Sequence, residues 1–293
     1  MNQDLIPISV ANNYSIAEAL RESARMLEGG GVPDARREAG SLLSFVLDKD
    51  RTFLISHAED AVDDECLDRL REFAERRAAG EPLQYITGFQ DFYGREFRVT
   101  PDVLIPRPET ELLVEAALAV NTDSEAFICD VGTGSGCIAI TLLCEIPKAR
   151  AVAVDKSAAA LEIARDNAAK HAVADRAVFV VSDCFDALEP REFDLIVSNP
   201  PYVSESALAG LQREVRDHEP LVALSPGPDG LSVIRRLLTE GPAYLKPNGH
   251  LLIEIGFDQG EAVRNLVDQS LWLLIEVRPD LQGIPRIVVL QKH

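Results

Sequence analysis

An apolar, strand-like run ends abruptly at four residues that could hold a planar nitrogen group. Residues 193–203 read FDLIVSNPPYV, and the two prolines cannot donate ladder hydrogen bonds, so the strand must stop there. The Asn199 side-chain oxygen and the Pro200 carbonyl could each accept one hydrogen of an NH₂ group, Pro201 would stiffen the turn, and Tyr202 offers a flat face. With no strong base in the motif, we expect an amide or amine nitrogen to be positioned by proximity and alignment.

A glycine-rich loop lies upstream, in the stretch CDVGTGSGCIAI. Gly132, Gly134 and Gly136 follow a predicted strand and precede a predicted helix, where glycines let the backbone approach a ligand closely. No Gly-Lys-Ser/Thr follows, which excludes a phosphate-binding P-loop. The nicotinamide pattern G-x-G-x-x-G/A fails when counted from Gly132 but is met at Ala139 when counted from Gly134. The pattern therefore gives only weak support to a nicotinamide-binding site, which remains an open alternative.

Two further strand ends carry acids. Asp155 ends the second predicted strand, about 20 residues beyond the glycine loop, where a carboxylate can accept hydrogen bonds from ribose hydroxyls. Asp183 and Cys184 end the third strand, within reach of an adenine edge. Ligands of open α/β sheets bind outside the carboxyl ends of the strands, so Asn199 shares this rim. Alone, the Asn-Pro-Pro-Tyr string would indicate only a turn, but on this rim it indicates a site for an adenosine-type ligand and a nitrogen substrate.

The elements that must position these residues alternate along the C-terminal part of the chain. Apolar runs predict strands at 127–131, 151–154, 177–181, 194–198, 250–255, 271–277 and 287–290, and helices at 137–145, 158–171, 231–244 and 259–269. This order is typical of a doubly wound α/β sheet. The loop RPDLQGIP between the last two strands is too short for a parallel crossover, so the final strand should be antiparallel.

The N-terminal part has helical patterning instead. Ser15 with Glu18 forms a capping-box signature, and further amphipathic helices are predicted from Pro33 and over residues 63–79. We therefore predict a small helical bundle. Gly94 lies between aromatic and β-branched residues, which predicts a hairpin. The predicted domains are a helical domain at 1–80, a β-hairpin linker at 81–105 and the α/β domain at 106–293.

Composition narrows the function classes. The 293 residues carry a net charge of −19, which opposes binding to phosphate backbones, so no direct nucleic-acid partner is expected. Five cysteines without a CxxC pair and five scattered histidines predict reduced thiols and no metal site. Residues 1–10 lack the basic start of a signal peptide, and no apolar run is long enough to span a membrane. We expect a cytoplasmic protein with no membrane partner.

The motifs also resemble a known family. The glycine loop, Asp155 and Asn-Pro-Pro-Tyr resemble S-adenosylmethionine-dependent methyltransferases that modify planar NH₂ nitrogens. The stretches PLQYITG, FYG and IPRPETE, and the tail from EPLVALSPGPDGL through GHLLIEIGFDQG, resemble the HemK/PrmC family of peptide chain release factor glutamine methyltransferases. The resemblance covers nearly the whole chain, and it implies a Rossmann-like methyltransferase domain preceded by a substrate-recognition bundle.

The resemblance implies transfer of a methyl group from S-adenosylmethionine to the side-chain nitrogen (N5) of the glutamine in the Gly-Gly-Gln motif of release factors, leaving S-adenosylhomocysteine. The implied cofactor-binding residues are Gly132, Thr133, Gly134, Ser135, Gly136, Asp155, Asp183, Cys184 and Asn199. The implied catalytic and glutamine-binding residues are Asn199, Pro200, Pro201 and Tyr202. Cys184 departs from the pattern, because some members have a tryptophan there that would stack on adenine.

The sequence leaves several alternatives open. A ribosomal-protein glutamine methyltransferase and a DNA N6-adenine methyltransferase would use a similar nitrogen pocket, and a non-catalytic adenosine or nicotinamide module would use only the glycine loop. Arg107 and Glu111 could contact substrate or cofactor, but they equally suit a charged helix start. Glu219 poses the same question, so all three stay outside the predicted catalytic set.

Overall fold

The computed structural model describes residues 14–121, 123–189 and 192–293. The chain divides into two compact units, with the division between Thr87 and Gly88. The predicted boundaries were 80 and 105, so the hairpin that we assigned to a linker lies in the second unit. Residues 1–13, including the stretch considered for a signal peptide, lie outside the described residues.

The first unit is helical, as predicted. Its described helices are α1 (Ile16–Gly29), α2 (Ala35–Leu47), α3 (Arg51–Ser56), α4 (Asp64–Ala78) and α5 (Leu83–Thr87). The capping box at the start of α1 is formed: the Glu18 N–H donates to Ser15 Oγ over 3.3 Å, and the Ser15 N–H donates to the Glu18 carboxylate over 2.9 Å. The helices enclose a core that includes the fully buried Leu27, Leu42 and Leu43. The short helices α3 and α5 were not predicted, because five or six residues give too little periodicity.

The second unit begins with the predicted hairpin, β1 (Phe89–Phe92) and β2 (Arg95–Arg98). Tyr93 and Gly94 between them both have positive φ, 51° and 68°, which suits a tight two-residue hairpin turn. The Tyr93 N–H donates to the Glu111 carboxylate over 2.7 Å. Glu111, whose role the sequence left open, therefore ties the hairpin to the start of the next helix.

The remaining elements alternate. In chain order they are a 3-10 turn (Pro108–Thr110), α6 (Glu111–Val120), β3 (Phe127–Val131), α7 (Cys137–Glu145), β4 (Arg150–Asp155), α8 (Ala158–Lys170), β5 (Ala177–Val181), β6 (Phe193–Ser198), α9 (Arg213–His218), α10 (Leu221–Leu224), α11 (Ser232–Glu240), β7 (Leu245–Glu254), α12 (Gly260–Leu266), β8 (Trp272–Pro279) and β9 (Pro285–Lys292). The predicted α/β fold class is confirmed. Strand β7 starts earlier than predicted, because its irregular first half carries Pro247, Asn248 and Gly249, which read as a turn.

The sheet has the order β5-β4-β3-β6-β7-β9-β8. Strands β3 to β7 pair in parallel, and β9 runs antiparallel between β7 and β8. The antiparallel final strand is confirmed, and its insertion inside β8 is a feature that the loop length did not predict. Apolar cores cover both faces of the sheet, one containing Leu113 and Ile140 and the other Ile234 and Trp272.

The strand order reverses between β3 and β6, and ligands of such sheets bind at this kind of reversal. Asp130 on β3 pairs with Val197 on β6, so both strands end at the same level. The glycine loop after β3 and the Asn-Pro-Pro-Tyr turn after β6 are therefore neighbours. No helix in the described ranges has the length and apolar character needed to cross a bilayer.

The core of the first unit should be sensitive to truncation of Leu42, which is fully buried. We expect Leu42→Ala to lower the free energy of unfolding by about 2–5 kcal/mol, because it leaves a cavity among packed helices. Urea denaturation followed by circular dichroism would measure the loss. Ile55→Ala is the matched control, since Ile55 is 74% exposed and should change stability by less than about 0.5 kcal/mol. Equal effects of the two substitutions would contradict the packing described for this unit.

Candidate active site

A cavity of about 410 Å³ lies at the carboxyl ends of β3, β4 and β6. Most of the predicted site residues line it: Gly132, Thr133, Gly134, Ser135, Asp155, Asp183, Cys184, Asn199, Pro200 and Pro201. Gly136 and Tyr202 are not among the lining residues. The structure therefore brings nearly all of the predicted cofactor-binding and substrate-binding positions to a single cavity.

The glycine loop is held in place by Asp130, the last residue but one of β3. Its Oδ2 accepts hydrogen bonds from the Thr133 hydroxyl over 2.7 Å and from the Ala139 N–H over 3.2 Å. Gly136 adopts φ of 82°, and an added Cβ would lie 3.2 Å from the Cβ of Ala164. We conclude that Gly136 serves the tight turn and the close helix packing, while the first two glycines present the backbone to the cavity.

Asp130 was absent from the predicted site, although it directly precedes the glycine loop. It is fully buried, and its Oδ1 has no hydrogen-bond partner among the described residues. Burial raises the pKa of this carboxyl to about 7, against the opposing hydrogen bonds from Thr133 and Ala139. An acid near the end of an apolar strand, two residues before the first glycine in the string CDVG, was the signal that could have identified it.

Asp155 connects the end of β4 to the glycine loop. One carboxylate oxygen accepts from the Gly134 N–H and the other from the Ser157 N–H, each over 2.9 Å. Desolvation raises the pKa of Asp155, and these backbone donors oppose the shift. Each carboxylate oxygen can accept more than one hydrogen bond, so Asp155 keeps acceptor capacity for ligand hydroxyls while its position is fixed.

Asp183 lines the cavity as part of a charged cluster. Lys156 approaches its carboxylate to 2.9 Å, and Arg236 on α11 approaches it to 2.9 Å as well. The hydrogen bond from Lys156 lowers the pKa of Asp183. Lys156 and Arg236 also line the cavity and were not predicted. The Arg236 pairing with Asp183 spans 53 residues and leaves no local pattern.

Cys184 forms part of the same wall. Its side chain is buried, and burial raises the pKa of the thiol to about 11. The thiol is therefore neutral at physiological pH. It presents a small, weakly polar surface where a tryptophan would present a large one.

Asn199 ends β6 with its side-chain amide oriented by a neighbour from another segment. Its Nδ2 donates to the Thr110 hydroxyl oxygen over 3.0 Å, and Thr110 is only 2% exposed. With the amide nitrogen engaged, the amide oxygen is the atom left to accept a hydrogen bond from a ligand. Thr110 lies within IPRPETE and was not predicted as a site residue.

A buried carboxyl continues this chain of contacts. Glu254 ends β7 and is 1% exposed. Burial raises its pKa to about 7, and a hydrogen bond with Thr110 opposes the shift. Since the Thr110 oxygen accepts from Asn199, its hydroxyl hydrogen can be donated to Glu254, and the three side chains form one oriented series.

Arg107 and Glu219 form an ion pair of 2.5 Å. The Glu219 side chain is almost fully buried, and burial raises its pKa while the Arg107 charge opposes this. Arg107 lines the cavity, as do Val222 and Ala223 beyond Glu219. The pair therefore fixes the segment after the Asn-Pro-Pro-Tyr turn to the segment before α6.

Among the described residues no group of three or more His, Cys, Asp or Glu side chains could hold a metal ion.

Sequence families and relatives match both units. The PrmC N-terminal domain family matches residues 18–88, and the methyltransferase small domain family matches residues 108–215. The chain is 44% identical to a release factor glutamine methyltransferase of Koribacter versatilis, over 95% of this chain and 99% of the relative. It is 46% identical to that of Cereibacter sphaeroides, over 93% and 96%.

Solved structures share the fold at low identity. A methyltransferase from Pyrococcus furiosus has a TM-score of 0.51 and 14% identity, covering 69% of this chain and 90% of its own. A ribosomal protein L11 methylase from Lactobacillus delbrueckii subsp. bulgaricus has a TM-score of 0.50 and 17% identity, covering 70% and 90%. At such identities the likeness concerns the fold alone.

The buried Asp130 should make stability depend on pH. An unperturbed aspartate ionises near pH 3.8, whereas folded Asp130 holds its proton to about pH 7. Its contribution to stability is fully present below pH 3.8 and is lost as the pH rises through 7. Asn cannot ionise, so the free energy of unfolding of Asp130→Asn should rise relative to that of the wild type as the pH increases. The rise should be about 1 kcal/mol per pH unit between about pH 5 and 7, with no further change above that range. Urea unfolding across this range would measure it, and a constant difference would contradict it.

Proposed function

The chain belongs to the release factor glutamine methyltransferases, and from this premise we propose how its own residues perform the reaction. The enzyme methylates the side-chain amide of a glutamine in release factors. The observation that carries the residue assignment is the Asn199 amide, oriented by Thr110 beside the glycine loop. This leaves an acceptor oxygen at the edge of the cavity where the glutamine nitrogen must be held.

The cavity fits S-adenosylmethionine by its own features. Gly132 and Gly134 expose backbone with almost nothing within 4 Å of an added Cβ, so a ligand can approach closely. Asp155 offers carboxylate oxygens for ribose hydroxyls, and the unpartnered oxygen of Asp130 adds a polar group behind the loop. When bound, this cofactor supplies an electrophilic methyl group on a positively charged sulfur and is released as S-adenosylhomocysteine.

The residues that would hold it divide along the cavity. Gly132, Thr133, Gly134 and Ser135 form the loop, Asp155 takes the ribose, and Asp183 and Cys184 flank the adenine. Gly136 supports the loop from behind, and Asn199 borders both ligands. The paired Asp183 is held in its ionised form by Lys156 and Arg236, which suits an acceptor for an amino group.

The glutamine amide nitrogen is a poor nucleophile, because its lone pair is delocalised into the carbonyl. The Asn199 oxygen and the Pro200 carbonyl each accept one of its two N–H groups, which draws electron density back to nitrogen and fixes its direction. The nitrogen would gain a bond to the methyl carbon as the carbon–sulfur bond breaks with its electron pair left on sulfur, and it would then lose one hydrogen as a proton to solvent water. No strong base lies in the Asn199–Tyr202 turn, so the turn aligns the nitrogen without deprotonating it beforehand.

Tyr202 was expected to present its flat face to the substrate nitrogen, but it lies outside the cavity lining. Its ring is largely buried, which raises the pKa of the hydroxyl to about 12, and it is absent from the cavity lining. An added Cβ on Gly256 would lie 3.3 Å from Tyr202 Cδ2. We assign Tyr202 to the support of the turn and to one side of the glutamine path.

We further propose that the helical unit grips the body of the release factor. It is separate from the unit that contains the cavity, and the PrmC N-terminal domain family covers residues 18–88. A cytoplasmic location fits an enzyme that acts on translation factors, and all five cysteines are free thiols. The net charge of −19 favours the protein substrate over DNA, and the relatives named above favour a release factor over a ribosomal protein.

Mass spectrometry tests the proposed function directly. A purified release factor incubated with the enzyme and S-adenosylmethionine should gain one methyl group, which fragmentation places on the glutamine of the Gly-Gly-Gln motif. A short Gly-Gly-Gln peptide should be methylated far less efficiently, because it lacks the surface that the helical unit would contact. Methylation of ribosomal protein instead would redirect the assignment, and equal efficiency on the peptide would remove the role of the helical unit.

The oriented amide gives a second prediction. Asn199→Ala should reduce turnover by about 100-fold or more, since it removes an acceptor that aligns the nitrogen, while cofactor binding stays measurable by calorimetry. Thr110→Val keeps the shape but removes the partner of the Asn199 amide, so it should reduce turnover by about 10-fold. Ser206→Ala is the control, because Ser206 lies on an exposed turn. Normal turnover of Asn199→Ala would remove Asn199 from the mechanism.

A further inference from the structure

Three separate loops converge on one buried glutamine. Gln259, just before α12, is 7% exposed. Its Nε2 donates to the backbone carbonyl of Tyr202 over 3.1 Å and to that of Gly230 over 3.2 Å, and its Oε1 accepts from the Gly256 N–H over 3.0 Å. Both amide hydrogens and the amide oxygen are used, so this side chain is fully committed to holding main chain.

Two glycines lie close to this side chain and to the Tyr202 carbonyl. Gly230 has φ of 71°, and an added Cβ would lie 2.3 Å from the Tyr202 carbonyl oxygen and 2.9 Å from Gln259 Nε2. On the other side, a Cβ on Gly256 would lie 3.2 Å from Gln259 Oε1. Gly230 therefore approaches the Tyr202 carbonyl closely, and Gly256 approaches the Gln259 amide closely, because both residues lack side chains.

These contacts act on the far end of the turn that carries Asn199. Thr110 fixes the first residue of this turn by its hydrogen bond to the Asn199 amide. Gln259 fixes the last residue by its hydrogen bond to the Tyr202 carbonyl. Pro200 and Pro201 between them have restricted φ, so a displacement at Tyr202 is passed on to the Pro200 carbonyl.

We propose that Gln259 is a positioning residue for methyl transfer, which holds the Tyr202 carbonyl so that the Pro200 carbonyl and the Asn199 amide keep their alignment toward the substrate nitrogen. Gln259 does not line the cavity and touches no reacting atom. The inference rests on the proposed role of the Asn199–Tyr202 turn. It also gives a function to the SPGPDGL and GFDQG segments, which contribute Gly230 and Gly256.

The chemistry of the side chain suggests two diagnostic variants. Gln259→Met keeps the length but removes the donors and the acceptor. Gln259→Glu keeps the acceptor for Gly256 but, when ionised, sets a carboxylate against two carbonyl oxygens. Protonation of that carboxyl restores one donor, so activity of Gln259→Glu relative to wild type should rise as the pH is lowered. A residue that merely fills space would show no such recovery.

The test compares turnover, cofactor affinity and melting temperature of the full chain. Gln259→Met should lower kcat on a whole release factor by about 10- to 100-fold, while the Kd for S-adenosylmethionine, measured by calorimetry, stays within about twofold. Gln259→Glu should lose as much kcat at about pH 8 and recover part of it at about pH 6. Gln269→Met is the matched control, since Gln269 is exposed, and it should behave as wild type.

The outcomes separate the inference from the function on which it rests. A kcat of Gln259→Met within twofold of wild type would overturn the inference, and so would a loss of cofactor affinity as large as the loss of kcat. Failure of Gln259→Glu to recover at low pH would also count against it. If Asn199→Ala is inactive while Gln259→Met is active, only this inference fails. If both are fully active, the proposed role of the turn fails first.

Discussion

The parallel pairing of β3 with β6 is the constraint on which the site depends. It sets Asp130 level with Val197, and the Ser198 hydroxyl reinforces it by donating to the Val131 carbonyl over 2.7 Å. Both strands are buried, so a shift in register would expose apolar side chains and move both loops at once. The glycine loop and the Asn199 turn can therefore act on two ligands together only because this register is fixed.

Polar groups buried behind that edge give the site its rigidity. Asp130 holds the glycine loop, Thr110 orients Asn199, and Gln259 holds the Tyr202 carbonyl. Buried polar groups are costly unless they are hydrogen-bonded, so each of these side chains has few alternative arrangements. Burial raises the pKa values of Asp130 and Glu254 to about 7. The site thereby keeps preorganised acceptors without a strong base facing the substrate.

The departures from the predicted elements have physical causes. The boundaries of β3, α7 and β5 were predicted to the residue, because a glycine, a nearby proline or polar residues follow these elements in the sequence. Helix α11 is shorter than predicted, since Gly241 and Pro242 convert its last turn to a 3-10 turn. The early start of β7 was missed because Pro247 and Asn248 resemble a turn, yet Leu245 still pairs with Phe193. The local sequence pattern shows that a strand exists more reliably than it shows where the strand ends, because pairing with a neighbouring strand can extend it.

The sequence by itself determined the α/β order, the helical N-terminal part and the residues at the strand ends. Those features are encoded by periodicity and by residue types within a few positions of one another. Only the tertiary structure decided which distant side chains support them. The Thr110 contact with Asn199 spans 89 residues, and the Gln259 contact with Tyr202 spans 57. Such contacts follow from the strand order and the crossovers, and a buried hydrogen bond between distant segments leaves no periodic signal in the chain.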